Sequence, residues 1–241
     1  MKKMVLAFAA LLALEGADVK AEVGFINRVG LITQEVTPEF IIKKYIEAVG
    51  GEEAVRGVRN LEMTMEAEVQ GMAVKIKGVT DQENDRALNV TEMNGNVVAK
   101  SIINGDVGKV ISMGQEQQLT EEQIQSVKNQ KYIFQELHLD ELGYSVSYGG
   151  KENADGEEVY KLILKDGNGY ESIEYYSVDS GLKVMTKSDL AGEVKFKDYK
   201  EVDGLMMPMK MVVSNTMMPM PMEVTVVSIV FNQELDENLF N

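Results

Sequence analysis

From about residue 60 onward the chain is written in a period of two, the spacing of a strand with one dry and one wet face. In NLEMTMEAEVQ, Leu61, Met63, Met65, Ala67 and Val69 alternate with Glu62, Thr64, Glu66 and Glu68. Gly71 then turns the chain, and Met72, Val74 and Ile76 repeat the pattern against Lys75 and Lys77. Asn94-Gly95 separates Ala87 to Met93 from Val97 to Ile103, and Asn104-Gly105 separates the latter from Val107 to Ser112. Asn-Gly between alternating runs is the strongest short hairpin signal. Strands resume at Gly143 to Tyr148, Glu158 to Leu164, Tyr170 to Val178, Leu182 to Ser188 and Glu193 to Tyr199, with turns at Asp166-Gly167-Asn168-Gly169 and Asp179-Ser180-Gly181. Such a chain folds as an antiparallel meander, and a sheet that large must cover one face with something else.

Two stretches break the alternation. PEFIIKKYIEAVGG, Pro38 to Gly51, places Ile42, Tyr45, Ile46 and Val49 on one helical face and Lys43, Lys44 and Glu47 on the other. Thr37 is placed to cap its first turn, Pro38 suits the first helical position, and Gly50 and Gly51 supply the exit. The second stretch runs from Thr120, which forms a capping box with Gln123, through Ile124, Val127, Phe134 and Leu137 to His138. Lying between two runs of strands, it is expected to fold back over the same sheet.

The last strands carry an unusual load. Leu205, Met207, Met209, Met211 and Val213 fall on one face of GLMMPMKMVV, and Met218, Met220, Met222, Val224 and Val226 on one face of MMPMPMEVTVV. Pro208, Pro219 and Pro221 have no amide hydrogen for a ladder and predict an edge or rim. Eight methionines within Met206 to Met222 exceed what filling a gap needs. Methionine is flexible and polarizable, and it suits a wall that accepts variable apolar shapes.

The composition removes much chemistry. A formal net charge of −15 opposes nucleic acid and anionic membrane surfaces as partners, leaving peripheral and transient membrane contact at most. With one histidine and no cysteine, disulfides, the usual zinc sites, a cysteine nucleophile and a lipid-modified cysteine anchor are excluded. His138 reads as a surface or capping residue. No Gly-rich phosphate loop opens a helix, the Asp166 to Glu174 loop lacks the glycine of a calcium loop, and no pair of carboxylates is singled out. Neither an enzyme nor a cofactor nor a metal is expected. At the other end of the chain, Lys2 and Lys3 precede the apolar run Met4 to Leu14, and Ala21 follows at a plausible cleavage point. A signal peptide over residues 1–21, a leader over 22–36 and a single domain over 37–241 are expected, with export to the periplasm.

YIEAVGGEEAVRGVRNL, GEEVYKLILKDG from Gly156 to Gly167, YYSVDSGL from Tyr175 to Leu182, DYKEVDGLMMP from Asp198 to Pro208 and the ending FNQELDENLF, in this order, carry a family likeness. Together they resemble the outer-membrane lipoprotein-sorting proteins of the LolA/LolB-like superfamily, most nearly its Bacteroidetes-type members, over roughly Thr37 to Phe240. The resemblance implies a mainly β fold: an open, incomplete antiparallel barrel of about eleven strands with helices covering the concave face. It also implies a ligand, the acyl chains of a lipoprotein or lipid, and so a chaperone-like role in transport and outer membrane biogenesis. The basic and aromatic residues with which the family's carrier handles cargo have no aligned counterparts here. On the residues themselves, Ile42, Tyr45, Ile46 and Phe134 from the helices and Met207, Met209, Met211, Met220 and Met222 from the last strands are the expected lining of an apolar groove. The alternative is a protein-binding accessory or sensor module of the cell envelope with a filled interior and an envelope protein as partner. Domains of that kind are appended to insulinase-like proteases, whose H-x-x-E-H motif is missing from this chain. An enzyme would instead need a cluster of perturbed carboxylates in the groove.

Overall fold

Several hairpins of the sheet are set by two-residue turns with glycine. The computed structural model describes residues 35–128, 131–189, 192–215 and 220–241. The signal peptide expected over residues 1–21, the leader expected over 22–36 as far as residue 34, and Met217, Met218 and Pro219 of the last expected strand lie outside the described residues. After helices α1 (Pro38–Val49) and α2 (Glu52–Arg56) come β1 (Asn60–Val69), β2 (Met72–Asp81), β3 (Arg86–Met93), β4 (Asn96–Asn104), β5 (Val107–Ser112) and β6 (Gln115–Gln118). Helix α3 (Glu121–Lys128) and a 3-10 turn (Gln135–Leu137) separate these from β7 (Ser145–Ala154), β8 (Glu157–Lys165), β9 (Glu171–Ser177), β10 (Lys183–Ser188), β11 (Gly192–Val202), β12 (Leu205–Ser214) and β13 (Met222–Phe231). A C-terminal 3-10 turn (Glu237–Phe240) follows.

Asn94 (φ 48°) and Gly95 (φ 80°) form the two-residue turn between β3 and β4, and both need the left-handed conformation that Asn and Gly tolerate. The same geometry recurs at Gln70-Gly71, Met113-Gly114, Asp155-Gly156 and Asp203-Gly204. At the next turn the expected Asn104-Gly105 pair is shifted by one. Asn104 still pairs with Val107, so Gly105-Asp106 makes the turn, with glycine first.

The strands form one open antiparallel sheet of 13, in the order β6-β5-β4-β3-β2-β1-β13-β12-β11-β10-β9-β8-β7, with β6 and β7 as edges. That is more than the sequence suggested. Beyond the twelve alternating runs named from the sequence, the additional strand is β6, QEQQ, exposed throughout and without apolar alternation. The sheet is not closed. Its two faces are covered differently. One face carries the main core, in which Ile41, Tyr45, Ile46 and Val49 of α1 pack on Leu61, Tyr160, Leu162, Leu164, Tyr176, Leu205, Met207 and Phe231. The opposite face of β2–β4 buries Val79, Leu88 and Ile102 under Phe240, with Leu235 and Leu239 beside it.

Two departures from the sequence-based expectation have local causes. The second helical stretch does not run through to His138. It ends at Lys128, and Phe134 and Leu137 reach the core from a separate turn, so their spacing matches a helix by coincidence. The last strand runs to Phe231, beyond the expected Val226, because a bulge between Thr64/Met65 and their β13 partners inserts Val227. Val224, Val226, Ile229 and Phe231 therefore all pair with the odd-numbered apolar residues of β1, although their own numbering changes parity.

Candidate functional site

Helix α1 presents two adjacent rows of side chains, and they do different work. Thr37 caps it, its hydroxyl accepting from the Phe40 amide at 3.2 Å, with Pro38 in the first turn. The row Ile41, Tyr45 and Val49, spaced by four, points into the core. The neighbouring row, Ile42 and Ile46, borders a groove. The helix ends where Gly50 (φ 139°) lies against the β11–β12 turn, and a Cβ at Gly50 would stand 2.5 Å from the Gly204 carbonyl oxygen. Any larger residue there would lift α1 from the sheet.

The groove has a volume of about 640 Å³, within the roughly 300–1,000 Å³ usual for small-molecule sites. One side is Ile42 and Ile46. The other is Leu137 and Leu139 of the segment leading into β7, together with Val146 of β7. Exposed Glu39, Lys43, Glu47, Glu52 and Asp140 ring it, and Glu136 enters its wall. The far wall is held in place by its own hydrogen bonds. The His138 amide donates to the Gln135 carbonyl at 2.9 Å, the Tyr144 amide donates to the Leu139 carbonyl at 2.9 Å, and the Ile133 amide donates to the Gln82 side chain at 3.2 Å.

Beneath that wall lies a buried ionic cluster. Lys183 Nζ donates to Glu136 Oε1 at 2.5 Å and to Glu174 Oε1 at 2.8 Å. The Tyr176 hydroxyl donates to Glu174, and the Tyr199 hydroxyl donates to the Lys183 carbonyl at 2.7 Å. The Lys183 ammonium also lies over the rings of Tyr45 and Tyr176, 5.7 and 5.6 Å from their centroids. A bulge makes this possible. Lys183 pairs with Tyr176 while Met185 pairs with Tyr175, so the extra residue, Val184, brings Lys183 onto the face of Glu174 and Tyr176. Burial opposes the Lys183 charge, but the two carboxylates outweigh it and hold the ammonium above its ordinary pKa. Tyr45 and Tyr176 are pushed well above the ordinary phenol value, first by burial and then by the same carboxylates. A lysine held protonated and fully engaged anchors the Gln135–Leu137 turn to the sheet and so fixes the groove's width.

The expected lining is distributed over several environments. Ile42 and Ile46 line the groove. Phe134 lines a smaller neighbouring pocket of about 130 Å³ with Val55, Arg56, Gln82, Leu137 and His138. Tyr45 is buried edge-on against Tyr176, with ring centroids 5.3 Å apart, and Met207 is buried in the main core. Met209, Met211 and Met222 are half-buried, and their ladder partners place Met211 beside Val224 and Met222 beside Val213. Met220 is 74% exposed. His138 stacks on Tyr132 at 3.6 Å and meets Glu141 at 3.1 Å. Sequence reasoning missed Lys183, Glu136 and Glu174. Glu174 did leave a signal, a carboxylate in phase with Tyr176 on a strand whose neighbours are apolar. Among the described residues no group of three or more His, Asp or Glu side chains is placed to hold a metal ion, and no helix is long and apolar enough to cross a membrane.

Neither a protein-family model nor a curated protein matches the sequence. Solved structures match the fold. A DUF1329-family protein of Desulfovibrio piger superposes with a TM-score of 0.57 at 12% identity, over 84% of this chain and 96% of its own. A LolA-superfamily protein of Nitrosomonas europaea gives 0.55 at 11% identity, over 86% of this chain and 98% of its own. A domain of Vibrio parahaemolyticus assigned to outer membrane lipoprotein sorting gives 0.54 at 16% identity, over 85% of this chain and 97% of its own. The chain has the open-sheet fold of the LolA-superfamily protein and of the lipoprotein-sorting domain.

Proposed function

We propose that the protein is a non-enzymatic carrier that takes up acyl chains of lipoproteins or lipids between α1 and the Gln135–Leu137 segment. Export by the signal peptide expected over residues 1–21 would deliver it to the periplasm. The observation that carries this proposal is the groove itself, with apolar walls of Ile42, Ile46, Leu137, Leu139 and Val146 on a fold otherwise well packed beneath α1. Each buried methylene contributes about 0.8 kcal/mol, so about ten supply roughly 8 kcal/mol before ordering costs. That suits reversible carriage better than permanent capture. The fold shared with lipoprotein-sorting domains supports the same conclusion at the level of architecture.

The test is native mass spectrometry of the full chain, with fluorescence titration using N-phenylnaphthylamine. A carrier retains acyl-bearing mass and binds the probe, and Ile42→Glu, which puts a charge into the groove from a half-buried position, weakens probe binding at least about tenfold. Absence of bound lipid together with probe binding unchanged by Ile42→Glu would contradict it. A protein-binding module with a filled interior gives that second result.

A further inference from the structure

The charges around the groove are strongly one-sided. Lined or ringed by Glu39, Glu47, Glu52, Glu136 and Asp140, it has Lys43 as its one lining cation among the described residues. Lys43 is already shared with Glu47 at 3.9 Å. The cations paired with its other acidic residues are occupied too, Arg56 by Glu52 at 2.7 Å and Lys183 by Glu136 and Glu174, and Lys44, also on α1, donates to the Val178 carbonyl. The α1 N-terminus, the other natural seat for an anion, is taken up by its own cap. Thr37 accepts from Phe40 through its hydroxyl and from Ile41 through its carbonyl. A carboxylate or phosphate at the groove mouth would therefore face carboxylates without an uncommitted donor cation. An ammonium would meet Glu39 and Asp140, for which no ion pair is formed by the described residues.

Resting on the carrier function proposed above, we infer that the groove selects an amine-headed lipid, its chain along Ile42, Ile46, Leu139 and Val146 and its ammonium among Glu39, Glu47 and Asp140. Apolar walls beside the rim exclude water from one side and strengthen this charge preference over its value in bulk solvent. Anionic fatty acids of the same chain length are disfavoured.

Three amphiphiles of equal chain length, each below its micelle concentration, distinguish the outcomes: dodecylamine, dodecyl maltoside and dodecanoate. Their displacement of N-phenylnaphthylamine from the full chain is measured at low and high salt. Dodecylamine is expected to bind at least about tenfold tighter than dodecanoate at low salt, with the gap closing at high salt. Glu39→Gln combined with Asp140→Asn reduces that ratio to about threefold or less. Glu66→Gln combined with Glu68→Gln, the same change in formal charge on the opposite face of β1, leaves it intact. Dodecanoate binding as tightly as dodecylamine, or both double variants reducing the ratio equally, overturns the inference. In that case probe and maltoside binding leave the carrier function standing. If none of the ligands binds, both fall.

Discussion

Two short 3-10 turns are pinned to opposite faces of the same sheet by a carboxylate on a cation, and the contrast shows what burial does to an ion pair. On the helix-covered face Glu136, with a side chain only 4% exposed, is held by Lys183. On the opposite face Glu237, 84% exposed, is held by Arg86 Nη1 at 3.0 Å. Arg86 also donates to buried Asp81 at 2.6 Å and lies 4.6 Å over the Phe240 ring. In the first case the charge pair is the anchor. In the second, Phe240 and the Arg86–Asp81 pair anchor the turn, and Glu237 adds a contact that water already screens. The wall of the groove therefore adds a buried charge pair to the burial of Phe134 and Leu139, whereas the ion pair that reaches the C-terminal turn itself is exposed and Phe240 carries its burial.

Lys183→Met breaks this comparison most sharply. It leaves Glu136 and Glu174 buried without their cation, and urea unfolding should report a loss of about 3–5 kcal/mol. The same variant should lose probe binding as the Gln135–Leu137 wall loosens. A loss under about 1 kcal/mol would mean that the cluster behaves like a surface pair. Alkali probes the same cluster without a mutation. Lys183, Tyr45, Tyr176 and Tyr199 all release their protons at higher pH folded than unfolded. Their stabilisation is complete below the ordinary values of 10.0 for tyrosine and 10.5 for lysine and is lost as pH rises beyond them. Equilibrium unfolding followed by circular dichroism should show stability falling steeply above about pH 10, and less steeply in Lys183→Met.

On the opposite face Arg86→Ala should cost about 1–3 kcal/mol, since Asp81 stays buried and loses its charged donor. Asp81 is held below its ordinary value because hydrogen bonds from Asn84 and Arg86 outweigh the effect of burial. Its contribution is present above the ordinary value of 3.8 and is lost as pH falls below it, so the variant should show a shallower acid dependence than the parent. Glu237→Gln should change the unfolding midpoint least, by less than about 0.5 kcal/mol. An effect as large as that of Lys183→Met would erase the distinction between the two turns.

The sheet was legible because its signals are local. Alternation and X-Gly turns need only neighbouring residues, so most of the strands and α1 could be placed from sequence. Bulges were not legible. Gly149 and Gly150 hide the continuation of β7 past Tyr148, and Val227 hides that of β13, because an extra residue reverses the parity on which strand recognition depends. The site was half legible for the same reason. Ile42 and Ile46 share one helix and stand out, whereas the facing Leu139 and Val146 lie about a hundred residues away and meet them only through packing. Lys183 was invisible, since only the bulge at Val184 turns it inward.

The most direct test of the carrier function is a dodecyl amphiphile bearing a diazirine near the chain end, photolysed on the full chain and mapped by peptide mass spectrometry. Labels on the peptides containing Ile42 and Ile46 and on those containing Leu139 and Val146, suppressed by unlabelled dodecyl ligand, are the predicted result. Labelling that cannot be competed, or that falls only on the opposite face around Glu66 and Glu68, would contradict it.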